Sequence, residues 1–227
     1  LEALRRDICR FELGQPRWLA QPSGEKEVTE VLRAAASENL PIVTFGKRSA
    51  YWRPLEFTHG VALSVDRLVG MREGPDGRLW FGSGTPVREV HEACLERDAI
   101  LGCHPDAYGD TSIGAMVATD FRSGCGMGAF GLSDVVEAIR VAGADGRIHE
   151  TGQPGLLEDV AVERFFGSSG ALGVITEVAV RPHRRCPRAL VRFSVDFQTA
   201  AVASLVELSQ SFESPGTYET FRAVRAQ

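Results

Sequence analysis

A chain of 227 residues, 44% hydrophobic and 24% charged, has the make-up of a globular protein able to bury a core as one large or two small domains. Its net charge of -5 argues against a nucleic-acid or anionic-membrane surface, and no apolar run approaches the roughly 20 residues that span a bilayer. Cys9, Cys94, Cys103, Cys125 and Cys186 are odd in number and scattered, so neither a disulfide framework nor a zinc or iron–sulfur site is expected, and a reducing cytoplasm is the expected setting.

The chain starts Leu1-Glu2-Ala3-Leu4-Arg5-Arg6, without the apolar segment of a signal peptide. Residues 25–38 place Val28, Val31, Leu32, Ala35 and Ala36 at helical spacing, with Ser23 as the expected N-cap. Residues 41–45 read as a buried strand. Residues 61–65 and 79–84 read as further strands, separated by the turn Gly74-Pro75-Asp76-Gly77. Residues 86–97 read as a helix with Val87, Val90, Cys94 and Leu95 on one face. These elements make a first α+β lobe, residues 1–103 with its N-terminal extension.

Residues 113–121 then predict a short helix and residues 135–142 a strand. Asp145-Gly146 turns that strand into residues 147–150, and residues 174–181 close a second lobe over 104–187. From residue 188 the pattern changes to one strand (190–197), one helix (200–212) and a tail. That reads as the start of an incomplete third α+β unit, since a strand and a helix cannot bury their faces alone.

Among the motifs, Gly167-Ser168-Ser169-Gly170-Ala171-Leu172-Gly173 is the most informative. It runs straight into Val174-Ile175-Thr176-Glu177, so a tightly turning backbone delivers a β-branched strand. Either a flat ligand or a neighbouring core strand would account for it. Gly46-Lys47-Arg48-Ser49-Ala50-Tyr51 follows a strand, where successive N–H groups and two cations can hold a diphosphate; a solvated basic turn is the other reading. Ser112-Ile113-Gly114-Ala115 opens a helix whose first N–H groups could face an anion. Gly126-Met127-Gly128-Ala129-Phe130-Gly131 has the GxGxxG spacing but neither a strand before it nor a helix after it, so a Rossmann site is rejected. Trp18, Trp52 and Trp80 read as packing residues, and His59, His91, His149 and His183 lack the partners of a catalytic triad or metal site.

Taken in order, these segments with His104-Pro105-Asp106-Ala107, Gly131-Leu132-Ser133-Asp134 and Ala144-Asp145-Gly146-Arg147 resemble the FAD-linked oxidase family, the vanillyl-alcohol oxidase / p-cresol methylhydroxylase type, over about residues 20–185. The resemblance is strongest to the branch holding the glycolate oxidase FAD-binding subunit and D-2-hydroxyacid dehydrogenases. It implies an α+β, two-lobed FAD-binding domain with the start of a truncated C-terminal substrate domain. It further implies that FAD is contacted by Phe45, Gly46, Lys47, Arg48, Ser49, Ala50 and Tyr51, by Pro105, Asp106, Ala107 and Tyr108, by Ser112, Ile113, Gly114 and Thr119, by Ser123 and Gly124, and by Gly170, Gly173, Val174, Ile175 and Thr176. Lys47, Arg48 and Asp106 depart from the glycines and small residues usual in the family. Non-covalent FAD is expected, because the Gly46 loop contains no His or Cys.

The implied function is hydride transfer to the flavin from a 2-hydroxy acid such as glycolate or D-lactate, a small-molecule substrate, with other subunits of an oxidoreductase complex as conceivable partners. A non-catalytic relative that binds FAD weakly and serves as partner or scaffold is the alternative. A flavin reductase of cell-wall synthesis ranks last, for want of its Ser and Glu context. No catalytic residue and no metal site is assigned.

Overall fold

In the computed structural model, residues 16–48, 59–101, 111–121 and 132–184 are described. The chain runs β1 (Trp18–Ala20), α1 (Glu25–Ser37), β2 (Ile42–Phe45), β3 (Val61–Ser64), β4 (Met71–Glu73), β5 (Leu79–Gly82), α2 (Val87–Leu95), β6 (Ala99–Ile100), α3 (Ile113–Ala118), β7 (Val136–Ala142), β8 (Ile148–Glu150), β9 (Val174–Val180) and β10 (His183–Arg184). No helix among the described residues is long and apolar enough to cross a membrane.

Strands β1, β3 and β2 form a three-stranded parallel sheet, in register from Ile42 opposite Val61 to Phe45 opposite Ser64. A five-stranded antiparallel sheet has the order β4-β5-β9-β7-β8, and β6 pairs with β10. The sheets therefore divide the chain differently from the expected lobe boundary at residue 103. Strand β5, expected with the first lobe, hydrogen-bonds to β9 from Leu79 opposite Val180 to Gly82 opposite Glu177, and β4, a strand the sequence reading did not include, pairs with the other edge of β5. Period-2 patterning marks a strand but carries no information about its partner.

Two hairpin turns of the larger sheet share four of five residues: Gly74-Pro75-Asp76-Gly77-Arg78 and Gly143-Ala144-Asp145-Gly146-Arg147. In both, the aspartate Oδ1 accepts the backbone N–H two residues on (Arg78 at 3.2 Å, Arg147 at 3.0 Å), an Asx turn that closes the hairpin. Those backbone bonds hold both carboxyls, Asp76 and Asp145, below the usual range.

The main core lies between the five-stranded sheet and α2 and α3. It gathers Phe81, Val87, Val90, Cys94, Ile113, Met116, Ile139 and Val178, all buried. A smaller cluster of Val28, Leu63, Val65, Ala142 and Val174 joins α1 and the parallel sheet to one end of the larger sheet.

Local readings were adjusted by packing. Leu95 is exposed although it shares the α2 stripe, and Trp18 is 54% exposed on β1, whereas Trp80 is buried with the Arg72 guanidinium 4.6 Å from its ring centre. Strand β2 is half-buried rather than buried, and α3 ends at Ala118 instead of 121. Gly24, not Ser23, occupies the N-cap of α1; the Glu27 carboxylate reaches one residue past the N-cap and accepts the Ser23 N–H (2.7 Å) and hydroxyl (3.0 Å).

Candidate cofactor site

The carboxyl ends of parallel strands are where ligands settle in open sheets, because loops leaving adjacent strands diverge there. In this chain β2 ends at Phe45 and passes into Gly46, while its neighbour β3 ends at Ser64 and passes into Val65 and Asp66. The Gly46 turn lies on the first turn of α3. A Cβ at Gly46 would stand 2.8 Å from Ser112 Oγ and 3.7 Å from Ala115 Cβ, so glycine is what lets the turn pack on the Ser112 and Ala115 side chains.

The glycine run reaches the same place from far along the chain. Gly167 N–H donates to Val117 O (3.1 Å) and Ser169 N–H to Ala118 O (2.8 Å), which ties the run to the end of α3. Gly170, at φ +82°, faces β2 so closely that a Cβ would lie 2.5 Å from Thr44 Oγ1. Ser169 itself adopts φ +57°. Thus Phe45–Arg48, Ser112–Gly114 and the 167–173 turn, three segments far apart in sequence, are brought together.

The structure also shows what individual residues there can offer. The anion-facing amides expected at α3 are taken: Ile113 N–H donates to Thr85 O (3.0 Å) and Gly114 N–H to Ser83 O (2.9 Å), because the helix start is anchored on the loop after β5. Thr119 uses its hydroxyl on Ala115 O (2.8 Å). The Ile113, Val174 and Ile175 side chains belong to the cores, so any contact they make with a ligand is through backbone. Thr176 is the extra residue of a β-bulge in β9, opposite the step from Arg140 to Val141; its hydroxyl donates to Glu25 Oε1 (2.8 Å). Gly173, at φ +129°, packs on the end of β7. Ser49, Ala50, Tyr51, Pro105, Asp106, Ala107, Tyr108, Ser123 and Gly124 lie outside the described residues, as does the 126–131 segment.

Two side chains supply an unmet hydrogen-bonding capacity. Ser112 and Ser83 are fully buried, and neither hydroxyl has a hydrogen-bond partner. A buried hydroxyl without a partner costs about 1–3 kcal/mol, so such groups usually face a bound ligand or water. Lys47 sits 4.0 Å from Asp66 Oδ1, with both side chains about one-third exposed. Arg48 adopts φ +55°, a left-handed conformation unusual for a side chain of that size. A cation-bearing glycine turn beside free hydroxyl donors fits the diphosphate of a dinucleotide.

Sequence reasoning did not find Thr44, Asp66 or Ser83, although Asp66 and Ser83 share one signal: a polar residue just past the end of a strand. It also missed an ion-pair chain on the sheet. Arg140 holds Glu25 of α1 in a bidentate pair (2.9 and 2.8 Å) and lies 3.4 Å from Glu177, which in turn takes Arg72 (3.1 and 2.6 Å). This chain joins α1 to β4, β7 and β9.

The parallel three-stranded sheet packed by α1 against an antiparallel sheet, with glycine turns meeting at the strand ends, is the p-cresol methylhydroxylase type of FAD-binding fold. Among solved structures, alkyldihydroxyacetonephosphate synthase superimposes with a TM-score of 0.62 at 19% identity, over 73% of this chain and 31% of that one. The 6-hydroxy-D-nicotine oxidase of Arthrobacter nicotinovorans does so with a TM-score of 0.63 at 18% identity, over 81% and 40%.

The profile of the FAD binding domain family matches residues 16–152, more than half of the chain. The chain belongs to that family, and FAD is its cofactor. By sequence it is similar to the D-2-hydroxyglutarate dehydrogenase of Xanthomonas citri pv. viticola (27% identical over 189 residues, 80% of this chain and 40% of the relative). It is also similar to D-lactate dehydrogenase (cytochrome) 1, mitochondrial, of Saccharomyces cerevisiae (26% over 212 residues, 87% and 35%). The chain thus spans well under half the length of these relatives.

Proposed function

We propose that this chain is the FAD-binding part of a flavin-dependent oxidoreductase acting on a 2-hydroxy acid, of which D-lactate, glycolate and D-2-hydroxyglutarate are the forms to test. The observation that carries the reading is the meeting of the Gly46 turn, the start of α3 and the 167–173 turn around the unpaired Ser83 and Ser112 hydroxyls. The similarity to a D-2-hydroxyglutarate and a D-lactate dehydrogenase supports the substrate class.

Bound FAD would accept the hydride. The chain's own residues bind and orient it. Gly46 and Gly170 let their turns close on Ser112 and on Thr44, Ser112 and Ser83 supply hydroxyl donors, and Lys47 and Arg48 neutralise diphosphate charge. We assign none of the described side chains to the proton transfer of substrate oxidation. We likewise assign no described side chain to positioning of the substrate carbon, which supplies much of such catalysis. FAD is held without a covalent bond, and a reducing cytoplasm is the setting that goes with buried, unpaired Cys94.

A second reading, a weakly binding partner or scaffold, is favoured by one feature: Arg48 stands in a left-handed conformation where glycine would be unstrained. The two separate by titrating the purified chain with FAD. Oxidised-flavin bands near 370 and 450 nm, roughly as for any protein-bound flavin, should copurify or appear on loading. Dithionite should bleach them, while D-lactate, glycolate and D-2-hydroxyglutarate should not do so at an enzyme-like rate. Absence of binding favours the scaffold; rapid bleaching by a 2-hydroxy acid would show that the chain holds a complete active site.

A further inference from the structure

Asp66 places a negative charge 4.0 Å from Lys47, in the turn proposed above to hold the diphosphate. Its place is rigid. The Asp66 N–H donates to Ser64 Oγ (3.3 Å), Val65 N–H donates to Phe45 O (2.9 Å), and Leu68 N–H closes the turn on Val65 O (2.9 Å). Gly84 presses from the other side: a Cβ there would lie 2.1 Å from Val65 O and 3.1 Å from Asp66 Cα.

Within this fixed turn the Asp66 carboxylate keeps one oxygen, Oδ1, buried and without a hydrogen bond, and the Lys47 ammonium stands 4.0 Å from it. That distance permits attraction but no hydrogen bond. Lys47 belongs to the cofactor turn, one residue after Gly46, and remains about one-third exposed. A flexible four-carbon stem allows its ammonium to turn from the carboxylate to a ligand oxygen.

We propose that Asp66 is an affinity-setting residue of the FAD site: it occupies Lys47 in the cofactor-free protein and competes with the FAD diphosphate for that cation. This rests on the FAD-binding reading above. FAD must either draw Lys47 away from Asp66, leaving a partly buried carboxylate unneutralised, or bind without its full charge. Both routes weaken binding relative to a neutral residue at 66. Lys47 is thereby held in reserve.

The test is FAD affinity, read by quenching of flavin fluorescence at several salt concentrations, for the whole chain and for Asp66→Asn, Asp66→Ser, Lys47→Ala and Asp66→Asn/Lys47→Ala. Both neutral replacements at 66 should tighten FAD binding about three- to tenfold at low salt, the scale of a partly exposed ion pair released to a phosphate. They should also steepen its salt dependence, because Lys47 then meets the phosphate directly. The double variant should lose that gain, while Lys47→Ala alone should change affinity less than twofold, the order of an exposed pair's net contribution.

Thermal unfolding of each cofactor-free variant reports whether it is folded, and with two replacements at 66 the comparison stands on either. Unchanged or weaker FAD binding in the folded 66 variants overturns the proposal, as does a gain that persists without Lys47. Failure of all the variants and of the parent to bind FAD overturns the FAD-site reading instead; binding that appears only in the 66 variants supports both.

Discussion

Replacing Gly173 by alanine tests whether the turn entering β9 is built by close backbone approach. Gly173 adopts φ +129°, outside the range of L-residues. A Cβ there would lie 2.6 Å from Val141 Cγ1 and 2.8 Å from Ala142 O, and the carbonyl cannot move without disturbing β7. Val141 is itself 1% exposed in the main core, so its methyl has no free space to enter. The backbone conformation costs about 1–3 kcal/mol and overpacking a similar amount, giving about 2–6 kcal/mol together.

Gly155→Ala is the matched control. Its φ is +137°, yet a Cβ would meet nothing within 4 Å, so it carries the conformational cost alone. Urea unfolding followed by circular dichroism should show Gly173→Ala less stable than Gly155→Ala by about 1–3 kcal/mol, with unchanged slope. Equal stabilities of the two variants would refute the steric part of the argument. Losses below about 0.5 kcal/mol in both would refute the conformational part.

Arg48→Ala should weaken FAD binding by about 1.5–3 kcal/mol, the contribution of a charged hydrogen bond to phosphate, and more than Lys47→Ala; calorimetric titration reads both. Glu25→Gln removes one charge from the bidentate pair with Arg140 and should cost about 1 kcal/mol, less at high salt because the pair is partly exposed, as urea unfolding at two salt concentrations would show. Burial pushes the Cys94 thiol up to about 11 from 9.0, so the folded chain retains that proton where the unfolded chain loses it. Its contribution is therefore intact below pH 9.0 and falls as pH rises toward 11, by about 1.4 kcal/mol per pH unit; in Cys94→Ala that part of the alkaline decline should disappear.

The fold class was open to reading because its signals are local. Helical spacing of Val28 and Ala35 locates α1, Asp145-Gly146 locates one hairpin, and the glycines of 167–173 announce positive φ before β9. Those features depend on a few neighbouring residues, and neighbouring residues are what a sequence displays. The order of glycine turns after strands likewise places the chain in its family.

Partnership was decided only in three dimensions. That β5 pairs with β9 rather than within its own lobe depends on backbone bonds between residues about a hundred apart, which no periodicity encodes. The α3 amides, which look available to an anion, are consumed by Ser83 O and Thr85 O, while the Ser83 and Ser112 hydroxyls are left unpaired. Thr176 lies in the cofactor motif by sequence, but a bulge directs its hydroxyl to Glu25. Sequence determines which groups a segment carries; packing determines which of them remain unsatisfied, and those are the groups a ligand can use.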